Sequence, residues 1–297
     1  MTVVRRAHYG RYAGLARLLP DRLYDIIRHR RITGHWPRLR NPQTINEKQL
    51  WLKQHYRDPL IRTCSDKAAV RAVVAERIGA EYLIPQLGLY SRAEAIDFAA
   101  LPERFVLKAT HGSGWNILVR SRAGFDETAA RQKLAGWLAQ DYYRVGREWC
   151  YRGLQGRIIA EEFLSDARGE PPADYKIWCF NGEPGLIQVD RDRFGPMRRA
   201  FFTPDWTPVE MTIIFNPPDS APPAPPQLNE LLDAARRLAV GFPFVRVDLY
   251  LHAQHIYFGE LTFLAAKGVS AIRPYRADVA LGRLLQLPTR QTSPHVV

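Results

Sequence analysis

Between Phe242 and Phe263 two runs of hydrophobic residues frame a polar turn. Val245, Val247 and Leu249 alternate with Arg246, Asp248 and Tyr250, and Ile256 to Phe263 is again aromatic and aliphatic. Both runs predict strands and the pair a hairpin, with its turn near His252 to His255. A turn centred on Gln254 sets Asp248 opposite Glu260 and Arg246 opposite Thr262, all four side chains on one face. Like charges directly across a ladder lie only about 5 Å apart and repel, so something must stand between them. One answer is a divalent cation held by two carboxylates, with phosphate and water completing its shell, as magnesium is held in nucleotide enzymes. The other is a solvated hairpin in which Arg246 neutralises Asp248 and a turn offset by one residue separates the pair.

The same patterning predicts the remaining elements. "SDKAAVRAVVAERIG" (65–79) predicts a helix capped by Ser65 and stopped by Gly79, with Lys67 in its first turn. A lysine there does not complement the helix dipole, so it is either solvated or aimed at an anion. "FVLKA" and "NILVR" predict strands joined by "THGSG", in which Gly112, Ser113 and Gly114 allow close backbone approach. Lys108 lies within the first of these strands, just ahead of the loop, where it can reach phosphates lying beneath the loop amides. Residues 125–143 predict a helix capped by Asp126, and "RIIAEEFL" (157–164) a buried strand ending in two acids. Residues 174–194 predict a hairpin turning at Asn181-Gly182, with Lys176 on its first strand among apolar residues, where it needs water or an anionic partner. "NPPDSAPPAPP" (216–226) is a connector, and "LNELLDAARRLAV" a helix leading into the last hairpin.

Composition narrows the class. A chain of 297 residues, 46% hydrophobic, can bury a substantial core, and two subdomains are expected. No apolar run approaches membrane-spanning length and the start lacks a signal-peptide core, which points to the cytoplasm. Cys64, Cys150 and Cys179 form no C-x-x-C pair, so buried thiols are expected rather than a zinc ribbon or disulfides. Of the formal charge of +12, residues 1–40 carry +8, from ten arginines against Asp21 and Asp25. Leu18, Leu19, Leu23, Ile26 and Ile27 add an apolar stripe, so this segment either meets an anionic membrane at its inner face or an acidic polymer, or packs on the domain with its arginines solvated. The rest is near balance and holds no nucleic-acid motif, so no nucleic-acid partner is expected.

In order along the chain, "NPQTINEKQLWLK", "YRDPL", "SDKAAVR", "LKATHGSGWNI", "REW", "IIAEEFL", "DYKIWCFNG", "FPFVRVDLY" and "FGELTF" resemble the TupA-like branch of the ATP-grasp superfamily, associated with teichuronopeptide and cell-surface polysaccharide biosynthesis. The resemblance runs from about residue 41 to residue 285. It implies an α+β ATP-grasp fold, two α+β subdomains gripping ATP between them after a basic helical start. The expected division is 1–60 for the basic segment, 61–165 for the glycine-loop subdomain and 166–297 for the metal-binding catalytic subdomain.

Residue by residue, the resemblance implies that Lys67 and Lys108 hold phosphates and that the Gly112–Ser113–Gly114 loop folds over them. Glu161, Glu162, Phe163 and Leu164 would form the strand that reads adenine, and Lys176 would add a nucleotide contact. Arg246 would stabilise charge on the transferred phosphoryl group, and Asp248 and Glu260 would bind Mg2+. Thr262 stands where many relatives carry asparagine, and its hydroxyl would coordinate or hold a water. Lys267 is an unusual charge near the expected reaction centre, where it would bind an acidic substrate or mark altered activity. The implied reaction is a carboxylate–amine ligation. ATP phosphorylates a carboxylate of a saccharide or an amino acid, and an amine captures the acyl phosphate as an amide. Two rivals stay open: a metal-dependent glycosyltransferase using Asp190-x-Asp192, and a non-catalytic module that keeps the fold.

Overall fold

The computed structural model describes residues 18–165, 169, 172–191 and 197–297. Helices come first: α1 (Asp21–Thr33), α2 (Ile45–His55), α3 (Pro59–Ser65) and α4 (Val70–Arg77). A four-stranded antiparallel sheet follows, made of β1 (Gln86–Tyr90), β2 (Phe105–Ala109), β3 (Asn116–Val119) and β4 (Ile158–Glu162) in the order β1-β4-β2-β3. Between β3 and β4 run α5 (Glu127–Leu138) and the single turn α6 (Tyr143–Gly146). The second half is a five-stranded antiparallel sheet of β5 (Ala173–Phe180), β6 (Glu183–Arg191), β7 (Arg198–Phe202), β9 (Phe244–His252) and β10 (His255–Thr262), ordered β10-β9-β5-β6-β7. The short pair β8 (Thr212–Ile213) and β11 (Ile272–Arg273), with α7 (Leu228–Ala239) and α8 (Tyr275–Leu284), completes the chain.

Local chemistry sets the ends. Thr44 and Glu47 cap α2 reciprocally: the Glu47 amide donates to the Thr44 hydroxyl and the Thr44 amide to the Glu47 carboxylate, both at 3.1 Å. Asp126 caps α5 by accepting from the Ala129 amide at 2.8 Å, but the helix ends at Leu138, short of the expected 143. The β5–β6 hairpin turns at Asn181-Gly182, both at positive φ, as expected. The prolines of 216–226 hold neither helix nor strand, as expected.

Two hydrophobic cores result. The smaller packs α5 residues Ala130, Leu134 and Trp137 on Phe105, Leu107 and Ile158 of the four-stranded sheet. The larger joins Val245, Val247 and Leu249 of β9 with Leu231, Ala235 and Leu238 of α7, and also takes in Leu52, Ile61, Val70, Val74 and Ile78. Thus α2 to α4 share the core of the five-stranded sheet while leading into the four-stranded one. The division at residues 60 and 165 is kept as a proposal about folding units. All three cysteines are buried free thiols. Among the described residues no helix is long and apolar enough to cross a membrane. Helix α1 turns Asp25 and His29 inward, with Ile26 and Ile27 half-buried, and leaves Leu23 exposed, as is Leu18 just before it. Residues 1–17 of the basic segment lie outside the described residues.

Candidate active site

Strands β9 and β10 pair through a two-residue turn, Ala253-Gln254, with φ of 49° and 64°. The turn is therefore offset by one residue from the one expected about Gln254, since His252 pairs with His255. A bulge between Phe258 and Glu260 absorbs the offset, and beyond it Glu260 faces Asp248 and Thr262 faces Arg246. Gly259 makes the bulge feasible: a β-carbon there would lie 2.9 Å from the Asp248 carbonyl oxygen.

Arg246 stands between the facing acids. Its Nε donates to Asp248 Oδ1 and its Nη2 to Asp248 Oδ2, both at 2.7 Å, while Nη2 also reaches Glu260 Oε1 at 3.2 Å and Thr262 Oγ1 at 3.1 Å. The Thr262 hydroxyl donates to Glu260 Oε1 at 3.0 Å. From β5, Lys176 donates to Asp248 Oδ2 at 2.9 Å and to Asp174. Burial by itself would push the Asp248 carboxyl up, but Arg246 and Lys176 outweigh it and hold it below the usual carboxylate range. Burial would likewise lower Arg246 and Lys176; the acids around them hold both above their ordinary values. The neutralisation of Asp248 by Arg246 thus occurs, and it occurs without separating the acids.

The glycine loop supplies the facing wall. It spans residues 110–115 between β2 and β3, as expected. Gly112 is wedged between Trp115 and Tyr142, where a β-carbon would lie 2.7 Å and 2.8 Å from their rings. Ser113 hydrogen-bonds Tyr142, and Gly114 has φ of 75° with open space around it. Lys67 donates to the Gly112 carbonyl, and its own amide to Thr110 O at 3.0 Å. Lys67 lies in the turn before α4 rather than within a helix begun at Ser65. Ser65 closes α3 by bonding Ile61 O, while Asp66 caps the turn through the amides of Ala68 and Ala69, each at 2.8 Å. Burial lowers the Lys67 ammonium against the pull of Glu260 and Glu161 and with the push of Lys108. Charges from both sheets therefore act on Lys67.

Lys108 donates to Glu161 Oε2 at 2.6 Å, and Arg71 to Glu161 Oε1 at 3.1 Å. Strand β4 ends at Glu162; Phe163, under the Arg104 guanidinium at 4.9 Å, and Leu164 follow it. Lys267 sits on a tight turn with Ala266 and Lys267 at φ of 49° and 64°, their carbonyls held by Arg28 at 2.8 Å and 3.1 Å. Asp190, by contrast, is buried on β6 and taken up by Arg199 at 2.6 Å and 2.9 Å and by Gln188. Asp192 lies outside the described residues.

Lys67, from the turn before α4, and Lys108, from β2, stand at the glycine loop, while the second sheet carries an R-x-D strand and its facing glutamate, and a family model described as TupA-like ATPgrasp matches residues 47–286. The chain belongs to the TupA-like ATP-grasp family. Its α+β fold is the ATP-grasp fold. No curated protein matches the chain. Among solved structures it is similar to the D-alanine–D-alanine ligase from Bacillus anthracis complexed with ATP, at 13% identity and TM-score 0.45, covering 79% of this chain and 62% of that one. It is also similar to the L-amino acid ligase from Bacillus licheniformis, at 15% identity and TM-score 0.44, covering 69% and 44%. The ATP-grasp ligase PsnB, complexed with a phosphomimetic precursor variant, Mg and ADP, matches at 13% identity and TM-score 0.42, covering 73% and 57%. The chain thus spans between 44% and 65% of the length of these structures and of a second one of the Bacillus anthracis ligase. The family match carries the assignment, and these similarities carry no part of it.

The donors on β9 and β10 suit the metal that an ATP-grasp family implies. All are oxygens, and among the described residues no three histidine, cysteine or acidic side chains gather to form a self-sufficient cage. Two carboxylates with phosphate oxygens and water are what Mg2+ accepts. The Glu260 side chain is 33% exposed, which leaves it open to a ligand, whereas that of Asp248 is 3% exposed. Several neighbours carried no sequence signal strong enough to single them out. Arg71 lies one helical turn beyond Lys67, and Asp174 is two residues before Lys176 on the same strand face. Glu148 falls in the "REW" string without any periodicity around it.

Proposed function

We propose that the chain is an ATP- and Mg2+-dependent carboxylate–amine ligase that joins an amine to a carboxylate through an acyl phosphate. The observation that carries the reading is the pair of facing acids, Asp248 and Glu260, joined by Arg246 on one sheet, together with Lys67 on the Gly112 carbonyl and Lys108 on Glu161 at the glycine loop of the other. A triphosphate with its metal matches that alternation of charges. Lys67 and Lys108 would bind phosphates, Asp248 and Glu260 would hold Mg2+ with help from Thr262, and Arg246 would offset charge on the transferred group. Bound Mg2+ would act as a Lewis acid on the phosphoryl oxygens. Lys176 would keep Asp248 ionised, and the Gly112–Ser113–Gly114 loop would exclude water from the acyl phosphate. Glu161 to Leu164 would contact the adenosine moiety.

The family's association with cell-surface polysaccharide supports a uronic-acid or amino-acid carboxylate as donor. Exposed Leu18 and Leu23, with the exposed arginines Arg22, Arg30 and Arg31 around them, support a peripheral contact with an anionic membrane. The test is thermal unfolding of the full chain. Mg-ATP should raise the melting temperature and a uridine diphosphate sugar should not. The reverse preference would overturn the ligase reading in favour of glycosyl transfer. Nucleotide binding with no phosphate release across candidate carboxylates would leave a binding module.

A further inference from the structure

A cleft of about 280 Å³ lies between the end of α1, the start of α2 and the start of α8, and it shares no residue with the nucleotide clamp. His29 lines it and is only 3% exposed. The His29 Nδ1 lies 3.0 Å from the His35 carbonyl oxygen. A carbonyl can only accept, so Nδ1 carries the proton, and burial, which holds the imidazole below the ordinary histidine range, keeps the ring neutral. Nε2 is therefore a bare acceptor, and it is buried with no hydrogen-bond partner among the described residues. A buried polar atom left unpaired is costly, so this one asks for a donor.

The other lining residues narrow the kind of donor. Glu47 is filled by Arg38, Gln43 and Thr44, but Asp278 accepts from Asn46 at 3.1 Å and 2.7 Å and, as a carboxylate, has room for a further donor. Aromatic rings stand at the mouth. Trp36 is 63% and Tyr275 48% exposed, and the His35 ring lies 5.4 Å from that of Tyr275. Large aromatics grouped around one opening offer a flat apolar face to a ligand. Arg38 donates to the Tyr275 hydroxyl at 2.9 Å, which leaves the tyrosine proton free to be donated in turn. The charges at wall and rim balance: Arg38 and Arg30, whose guanidinium lies 5.9 Å over Trp36, stand against Glu47 and Asp278. Neither an anion nor a cation is selected.

We propose that this cleft is a second binding site, taking one neutral sugar ring with its hydroxyls on His29 Nε2 and Asp278 and its C–H face on Trp36 or Tyr275. A pyranose carries hydroxyl donors around its edge and a weakly apolar face, the complement of an accepting wall behind an aromatic mouth. The volume is at the small end for ligand sites, which suits a single ring rather than a chain. The site needs no carboxylate and no nucleotide, so it stands or falls apart from the ligase reading.

The test is saturation-transfer NMR of the full chain with glucose, galactose, mannose and N-acetylglucosamine, each beside its methyl glycoside. At least one of these sugars should bind, and glucuronic acid and glucosamine, which add a charge to the same ring, should bind more weakly. Trp36→Ala and Tyr275→Ala, both at exposed positions, should each weaken binding about five- to tenfold and keep the wild-type melting temperature. His29→Phe, which keeps a ring but removes the acceptor, should lose binding; if it fails to fold, the two exposed variants decide. A methyl glycoside that binds as well as its free sugar assigns the occupant to a glycan, and one that does not assigns it to a free monosaccharide; both uphold the site. No neutral sugar bound by the wild type, equal binding by Trp36→Ala and Tyr275→Ala, or tighter binding of glucuronic acid or tetramethylammonium than of every neutral sugar would overturn it.

Discussion

Asp248 faces Glu260 across the last hairpin although the hairpin turns one residue earlier than an unbroken ladder would require. Gly259 supplies the extra residue. Its site lies so close to the Asp248 carbonyl, 2.9 Å from a would-be β-carbon, that backbone and not a flexible side chain would have to yield. Gly259→Ala should therefore destabilise the protein by about 1–3 kcal/mol and separate the acids. Chemical denaturation would report the first effect and loss of Mg-ATP binding the second. Wild-type behaviour in both would show that the bulge does not set the site.

Arg246 is the common partner of Asp248, Glu260 and Thr262. Arg246→Met would leave Asp248 to Lys176 alone. Breaking one side of a buried ion network costs about 3–5 kcal/mol, so a marked fall in stability is expected. Arg246→Lys should recover part of the stability but little of the turnover, because an ammonium cannot make the paired bonds of a guanidinium. Equilibrium unfolding and phosphate release, measured on both variants, separate the two effects.

Glu148 gives a pH test with a definite sign. Its folded-state carboxyl sits at about 7 against an ordinary 4.5. The folded protein therefore holds this proton more tightly than the unfolded chain does, and stability falls as pH rises from about 4.5 through about 7. The full penalty, on the order of 3 kcal/mol, applies above that range. Glu148→Gln should thus melt higher than wild type above about pH 8 and show little difference near pH 4.5. A lower melting temperature at the alkaline end would mean that the carboxylate is satisfied in the fold.

Asp190→Asn separates structure from chemistry on β6. The residue is 6% exposed and bonded to Arg199 through both oxygens. Removing its charge strands the guanidinium, so a loss of about 3 kcal/mol is expected with Mg-ATP binding retained. Abolished activity at full stability would instead revive the glycosyltransferase reading.

The facing acids were legible because strand alternation fixes which residues share a face, and the order of the family strings placed them on neighbouring strands. The exact turn was not. Ala253-Gln254 adopts positive φ without the Asn-Gly or Asp-Gly signal that marked Asn181-Gly182, and Gly259 reads equally well as an ordinary strand residue. At Ser65-Asp66 two capping residues stand side by side, and which one caps depends on the Asp66 carboxylate also accepting the Thr110 hydroxyl at 2.8 Å, a contact made across the fold. Arg246 was expected to serve the transferred phosphoryl group; its bonds to both acids follow from side-chain reach, which strand register alone does not specify.

The most direct measurement is a crystal structure of the full chain grown with Mn2+ and a non-hydrolysable ATP analogue, using the anomalous signal of the metal. The ion should lie between Asp248 and Glu260, bonded to phosphate oxygens, with Lys67 and Lys108 on the same triphosphate. A nucleotide bound with its metal elsewhere, or those two carboxylates still wholly engaged by Arg246 in the loaded protein, would contradict the account.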